Sequence, residues 1–194
     1  MSEVEIVSRV RILDGFFKID EVEFHHQRAD GSMSPVLRRF SLDRGDGVAV
    51  VIHNTEADTV VLVRQFRYST YDKGPGWMLE LATGVIDAGQ SPEHTMRREV
   101  MEETGYRVGD SAQFIGSYYL TPGGSSERIL LYYCQVASAD RLQAGGGLEE
   151  EGEDIEIVEL PLGELWDLLD KGGIVDAKTA IGLQWLRHRD TRSQ

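Results

Sequence analysis

Gly84-Val-Ile-Asp-Ala-Gly-Gln90-Ser91-Pro92-Glu-His-Thr-Met-Arg-Arg98-Glu99-Val100-Met-Glu102-Glu103-Thr-Gly105-Tyr106 is the segment on which the reading of this chain turns. Its second half has the pattern of a helix. Ser91 before Pro92 gives an N-cap followed by proline at the first helical position, and Gly105 supplies the stop. Glu99, Glu102 and Glu103 then stand at i, i+3 and i+4 on one side of that helix. Like charges at this spacing destabilise a helix by roughly 0.2–0.5 kcal/mol per pair, so a helix with only a packing role gains by spreading them. Two readings follow. The three carboxylates form a solvated acidic face, or they gather oxygen ligands for a hard divalent cation, Mg²⁺ above all.

The chain on either side of the helix is rich in strands. Upstream, 48–52, 59–65 and 77–81 read as strands. Further back, Val4, Ile6, Val10 and Ile12 share a period of two, 16–24 is extended, Asp30-Gly31 marks a turn and 36–42 is another strand. This opening of about 42 residues ends at the Gly45-Asp46-Gly47 turn. Downstream, strands are expected at 113–119, 129–136 and 155–160, and helices at 163–171 and 178–189. Strands, one helix, strands and then helices make an α+β class with a mixed sheet.

Composition narrows the function. The 194 residues carry 41% hydrophobic and 27% charged side chains, ordinary for a globular chain. A chain of this length buries roughly 70% of its unfolded surface. With 33 acids against 20 Lys and Arg, the net charge of −13 argues against nucleic acid as a partner. The longest wholly aliphatic run covers only 48–52, too short to span a membrane. No basic-then-apolar start is visible and Cys134 is the single cysteine, so a cytoplasmic location is expected. The acid is unevenly placed: 142–170 contains ten Asp or Glu and no Lys or Arg. That run is either a solvated face or a charge partly met by cations.

The quoted segment resembles the Nudix box: Gly, five residues, Glu, seven residues, then Arg-Glu-bulky-x-Glu-Glu-x-Gly-bulky. Gly84, Arg98, Glu99, Glu102, Glu103 and Gly105 match fixed positions. They would coincide by chance roughly once in ten million starts or fewer at ordinary residue frequencies. Gln90 stands where the family usually has Glu; an amide keeps an acceptor but loses the charge. Outside the box, Gly15-Phe16-Phe17, Arg38-Arg39, Val63-Arg64-Gln65-Phe66-Arg67, Thr121-Pro122-Gly123-Gly124-Ser125-Ser126-Glu127 and Leu183-Gln184-Trp185-Leu186 are similar to segments of bacterial ADP-ribose pyrophosphatases and of GDP-mannose pyrophosphatases. Pro122, sixteen residues past the box, is associated with the ADP-ribose group.

The resemblance implies a Nudix fold, a mixed sheet sandwiched by helices. It sets a β-rich dimerisation region at 1–43 before a hydrolase domain at 44–190. It also implies Mg²⁺, with Mn²⁺ as a substitute. Glu99, Glu103 and the Thr83 main-chain carbonyl are implied as metal ligands, with Glu153 a further one. Glu151 matches the loop general base, and Glu102 is the alternative. Arg98 either orients the cluster by pairing with Glu102 at i+4 or makes a plain surface ion pair.

Arg39 and Arg67 could grip phosphates through their forked donors, or be strand-edge surface charges. Glu127 could accept from a ribose hydroxyl, or be a surface acid. Gly84 joins these three as a substrate-binding candidate. Gly145-Gly146-Gly147 before the loop acids reads as a flexible hinge for closure over substrate. The activity implied is hydrolysis of nucleoside diphosphate sugars, ADP-ribose to AMP and ribose 5-phosphate first and GDP-mannose second. A non-catalytic ADP-ribose sensor is the third reading. A homodimer is the expected assembly.

Overall fold

The computed structural model describes residues 3–192, without the side chains of Glu151, Asp190 and Arg192. The chain forms two compact units. The first gathers Met1–Gly45 and Tyr119–Arg128, and the second holds Asp46–Tyr118 and Ile129–Gln194. The first unit is thus discontinuous, where the sequence suggests a single break near residue 43. The 119–128 segment joins it through the Leu42 N–H, which donates to the Gly124 carbonyl (2.8 Å), and the Ser126 N–H, which donates to the Leu42 carbonyl (2.9 Å).

In the first unit, β1 (Val4–Asp14), β2 (Lys18–His26) and β3 (Leu37–Asp43) pair antiparallel in that order. Phe16 and Phe17 sit in the turn rather than opening β2, because the Gly15 N–H closes on the Phe17 carbonyl (3.1 Å). Buried Asp20 on β2 meets Arg9 (2.8 Å) and Arg11 across the β1 ladder. These guanidinium groups hold its carboxyl below the usual carboxylate range. The alternating apolar residues of β1 do not form a core: Val4, Ile6, Val10 and Ile12 are all more than half exposed.

The second unit is built on a seven-stranded mixed sheet. Its main path runs β10 (Ile155–Pro161), β5 (Thr59–Phe66), β4 (Gly47–Asn54), β9 (Arg128–Val136), β8 (Gln113–Tyr119). Strand β4 runs parallel to β9 and antiparallel to β5. Two short strands fill the gap where β4 and β5 diverge: β6 (Trp77–Glu80) on β5 and β7 (Ala82–Val85) on β4. The sequence suggests one strand over 77–81; the chain instead changes partner at Leu81.

Among the described residues, four α-helices complete the unit: α1 (Tyr68–Tyr71), α2 (Pro92–Thr104), α3 (Leu162–Asp170) and α4 (Ala177–Arg192). All eight residues of β4 are buried because both of its faces are covered. Val48, Val50 and Ile52 pack with Met96 and Val100 of α2. On the other face, Gly182 lets α4 close on the sheet: a Cβ there would lie 2.8 Å from Val51 and 2.9 Å from Leu81. No helix among the described residues is long and apolar enough to cross a membrane.

Candidate active site

The site starts from how α2 is capped and which face it buries. Ser91 Oγ accepts from the His94 N–H (3.2 Å), Pro92 opens the helix, and Gly105 ends it in the left-handed region at φ 76°. The buried positions are Thr95, Met96, Glu99, Val100, Glu103 and Thr104. Glu99 and Glu103 therefore lie on the core side, one turn apart, while Glu102 lies round the helix and is partly exposed. Two carboxylates on a core face need a polar surface opposite them, and β7 provides it. The Thr83 N–H donates to Glu103 Oε2 (3.0 Å). Thr83 faces Ala49 in the β4 ladder. An antiparallel residue gives both main-chain groups to its partner or neither. Since the Thr83 N–H leaves the ladder, its carbonyl is freed from it too. At the next residue, a Cβ on Gly84 would fall 1.9 Å from Glu99 Oε1. Only glycine lets that carboxylate rest on the strand.

Arg98 bridges the helix surface. Its Nη1 reaches Glu102 Oε2 (2.7 Å) and its Nη2 reaches Glu99 Oε1 (2.6 Å). The i+4 pair is thus made, and Glu99 shares it. Burial still dominates the two core-side acids. It pushes Glu99 up to about 7, with Arg98 opposing and the charges of Glu102 and Glu153 adding. It pushes Glu103 well above the usual range, against the Thr83 N–H and the Arg67 charge.

The triple glycine belongs to this site in an unexpected way. Gly145, Gly146 and Gly147 all have positive φ. Gly146 N–H donates to the Glu103 carbonyl (2.9 Å) and Gly147 N–H to the Glu102 carbonyl (3.1 Å). A segment that reads as a hinge is here a clamp, satisfying carbonyls that the end of α2 would otherwise leave open. Beyond it comes a 3₁₀ turn, Glu149–Glu151, and then Glu153, whose Oε2 accepts from the Leu148 N–H (2.9 Å). Glu153 acts electrostatically on both Glu99 and Glu103. The side chain of Glu151, the expected base, lies outside the described residues.

Among the described residues, no three carboxylate, imidazole or thiol groups stand ready as a metal cage. Arg98 is bonded to Glu99 and Glu102, and Glu153 is bonded to the loop backbone. The donor chemistry nevertheless fits a hard cation. Carboxylate oxygens of Glu99 and Glu103 lie against the main chain of Thr83 and Gly84 at the α2–β7 contact, and burial disfavours those acids as bare anions.

Of the anchors expected from sequence, Arg67 lies near enough to Glu103 for its charge to be felt there. Its Nε is bonded to Glu80 Oε2 (2.7 Å). Arg39 and Glu127 belong to the first unit. There Arg39 Nη1 donates to the Arg38 carbonyl (2.8 Å), and Glu127 pairs with Arg44 (3.3 Å). Gln90 sits in the exposed turn before α2, its N–H on the Asp87 carbonyl (3.0 Å). Sequence reasoning missed Glu80 and Lys178. The one available signal is that Glu80 falls two residues after buried Met78 on a strand, which places it on the same face.

A model of the NUDIX domain matches residues 43–180. The GDP-mannose pyrophosphatase of Cronobacter sakazakii is 37% identical over 188 residues, covering 96% of either chain. That of Escherichia coli strain K12 is 34% identical over 187 residues, covering 95% of either chain. A solved structure described as an ADP compounds hydrolase superposes with a TM-score of 0.73 at 22% identity, over 98% of this chain and 96% of that one. The chain belongs to the Nudix family. Its fold is the Nudix fold, and with the Arg98-to-Gly105 pattern intact it is a Nudix hydrolase.

Proposed function

We propose that this enzyme hydrolyses the diphosphate linkage of nucleoside diphosphate sugars. The observation that carries the reading is the pair Glu99 and Glu103, buried against Thr83 and Gly84 with carboxyls raised by burial. Such a pair is costly unless a cation joins it. Nudix hydrolases use divalent metal ions, and here Glu99, Glu103, the Thr83 carbonyl and Glu153 would hold Mg²⁺ or Mn²⁺. Once bound, the ion would neutralise diphosphate charge and lower the pKa of a coordinated water. Arg67 binds a phosphate through its terminal nitrogens, and Gly84, whose missing side chain lets Glu99 lie against β7, contacts the substrate beside that carboxylate. Arg98 keeps Glu99 and Glu102 in place. Glu151 takes the proton of the attacking water as its oxygen bonds to one phosphorus and the bridging P–O bond breaks. Glu102 is the alternative base. Arg39 and Glu127, which belong to the first unit, are the further substrate contacts that the resemblance implies.

ADP-ribose, giving AMP and ribose 5-phosphate, is one substrate of this class. GDP-mannose is the second reading, favoured by two relatives of that name that match nearly the whole chain. Phosphate release, after phosphatase treatment of the products, is measured with Mg²⁺ on ADP-ribose, GDP-mannose and UDP-glucose. Turnover of one of them that vanishes with EDTA and returns with Mg²⁺ or Mn²⁺ is expected. Full activity in metal-free buffer, or none on any of the three, overturns the reading.

A further inference from the structure

A charged cluster outside the Nudix box is buried in the second unit. Glu80 on β6 is 4% exposed, and both of its oxygens are taken by cations: Oε2 by Arg67 Nε (2.7 Å) and Oε1 by Lys178 Nζ (2.6 Å). Lys178 Nζ also donates to Asp176 Oδ1 (2.9 Å). Asp176 Oδ2 in turn accepts from the N–H (2.9 Å) and the hydroxyl (2.6 Å) of Thr179 at the start of α4. Thr179 Oγ1 accepts from the Leu81 N–H (2.9 Å), which ties the helix back beside Glu80.

Stability alone gives this cluster little reason to exist. Buried ion pairs are commonly no more stabilising than apolar residues of the same volume. A cation in the first turn of a helix also opposes the helix dipole. What the arrangement does supply is orientation. Arg67 has its main chain pinned, its N–H donating to the Gly76 carbonyl (2.7 Å). Glu80 then takes the Nε edge of the guanidinium. Among the described residues, no hydrogen bond is made by the two terminal nitrogens. These form the fork that suits a phosphate, on a side chain whose charge reaches Glu103.

We propose that Glu80 and Lys178 are positioning residues for substrate binding: Lys178 fixes the Glu80 carboxylate, and Glu80 holds Arg67 by its Nε so that both terminal nitrogens face an incoming diphosphate. This rests on the reading of Arg67 as the phosphate anchor.

The test is a double-mutant cycle on kcat/KM, with the fastest substrate of the three-compound panel. Arg67→Ala is expected to lower kcat/KM by about 10²-fold, and Glu80→Gln to raise KM about tenfold with kcat within about threefold. Added to Arg67→Ala, Glu80→Gln should change nothing further. Lys178→Met enters the same cycle and carries it where Glu80→Gln fails to fold. Arg67→Lys keeps the charge but cannot give one edge to Glu80 and a fork to phosphate. On this partly exposed side chain it is expected to be as impaired as Arg67→Ala. A wild-type kcat/KM for Arg67→Ala would sink the anchor reading and this inference with it. An impaired Arg67→Ala with fully additive Glu80 and Lys178 losses, or an active Arg67→Lys, would overturn the positioning role alone.

Discussion

Glu99 and Glu103 are carboxylates whose surroundings favour the proton. The sign of the pH effect follows directly. Glu99 ionises near 4.5 in an unfolded chain and at about 7 in the folded one. Between those values the folded state holds more protons, so stability is full below about 4.5 and is lost as pH rises through about 7. The loss is at most about 3 kcal/mol for this group, and Glu103 adds in the same direction. Melting temperature in EDTA should therefore fall from pH 5 to pH 7.5, and Glu99→Gln should flatten that slope. A wild-type curve that rises over this window contradicts the account. Glu103→Gln separates function from stability. Activity should drop by orders of magnitude, while the EDTA melting temperature stays level or rises, since a buried charge has been removed. Among the loop acids, Glu151→Gln should cut kcat by roughly 10²–10⁴, the usual worth of a general base. Glu153→Gln should instead raise the Mg²⁺ concentration for half activity, with Glu149→Gln and Glu150→Gln near wild type. Four variants that behave alike would leave the loop with only diffuse charge.

Two glycines show how elements, rather than residues, make this site. On β7, a Cβ at Gly84 meets the far end of the flexible Glu99 side chain. Gly84→Ala should keep the fold and displace that carboxylate, with activity down at least about 10²-fold. At Gly145, φ is 71° and a Cβ meets the Thr104 main-chain carbon at 2.6 Å. Gly145→Ala should therefore cost stability, about 1–3 kcal/mol by chemical denaturation, because backbone must yield. Equal melting temperatures for wild type and Gly145→Ala would count against the clamp. These elements also mark what the sequence discloses. The caps of α2, the long strands and the three glutamates are legible because each depends on neighbours within a turn or a pleat. Strand β7 is not legible: Ala82-Thr83-Gly84-Val85 is four residues long without alternation, and its partner β4 lies about 35 residues upstream. The Thr83 carbonyl is invisible to any side-chain pattern. Glu80 reads as a surface acid because its partner Lys178 comes 98 residues later. The triple glycine reads as a hinge because positive φ is needed equally by a mobile loop and by a tight dock on a helix end.

At the scale of the whole molecule, the first unit stands out for its exposed apolar side chains. Phe16 is 80% exposed, and Val4, Ile6, Val10, Ile12 and Phe40 each exceed half. A three-stranded sheet with so much apolar surface is marginal alone, and monomers rarely leave a large contiguous patch in water. The charge of −13 keeps chains apart in general, so a self-association would have to be local and specific. A second copy presenting the same strands meets that requirement through a closed two-fold interface, which ends in a dimer rather than a filament. The expected species is about 43 kDa, twice the chain mass of 21.7 kDa. Light scattering at micromolar concentration checks it, and a 21.7 kDa particle there refutes it. The double variant Ile6→Asp/Ile12→Asp places charge on two exposed apolar positions of β1 and keeps Arg9, Arg11 and Asp20, so the protomer should remain folded while a dimer through this strand would dissociate. Arg39 and Glu127 lie in this same unit. Monomeric Ile6→Asp/Ile12→Asp should lose kcat/KM by raising KM, with the divalent-metal concentration for half activity unchanged. A monomer of wild-type kcat/KM would confine the active site to a single chain.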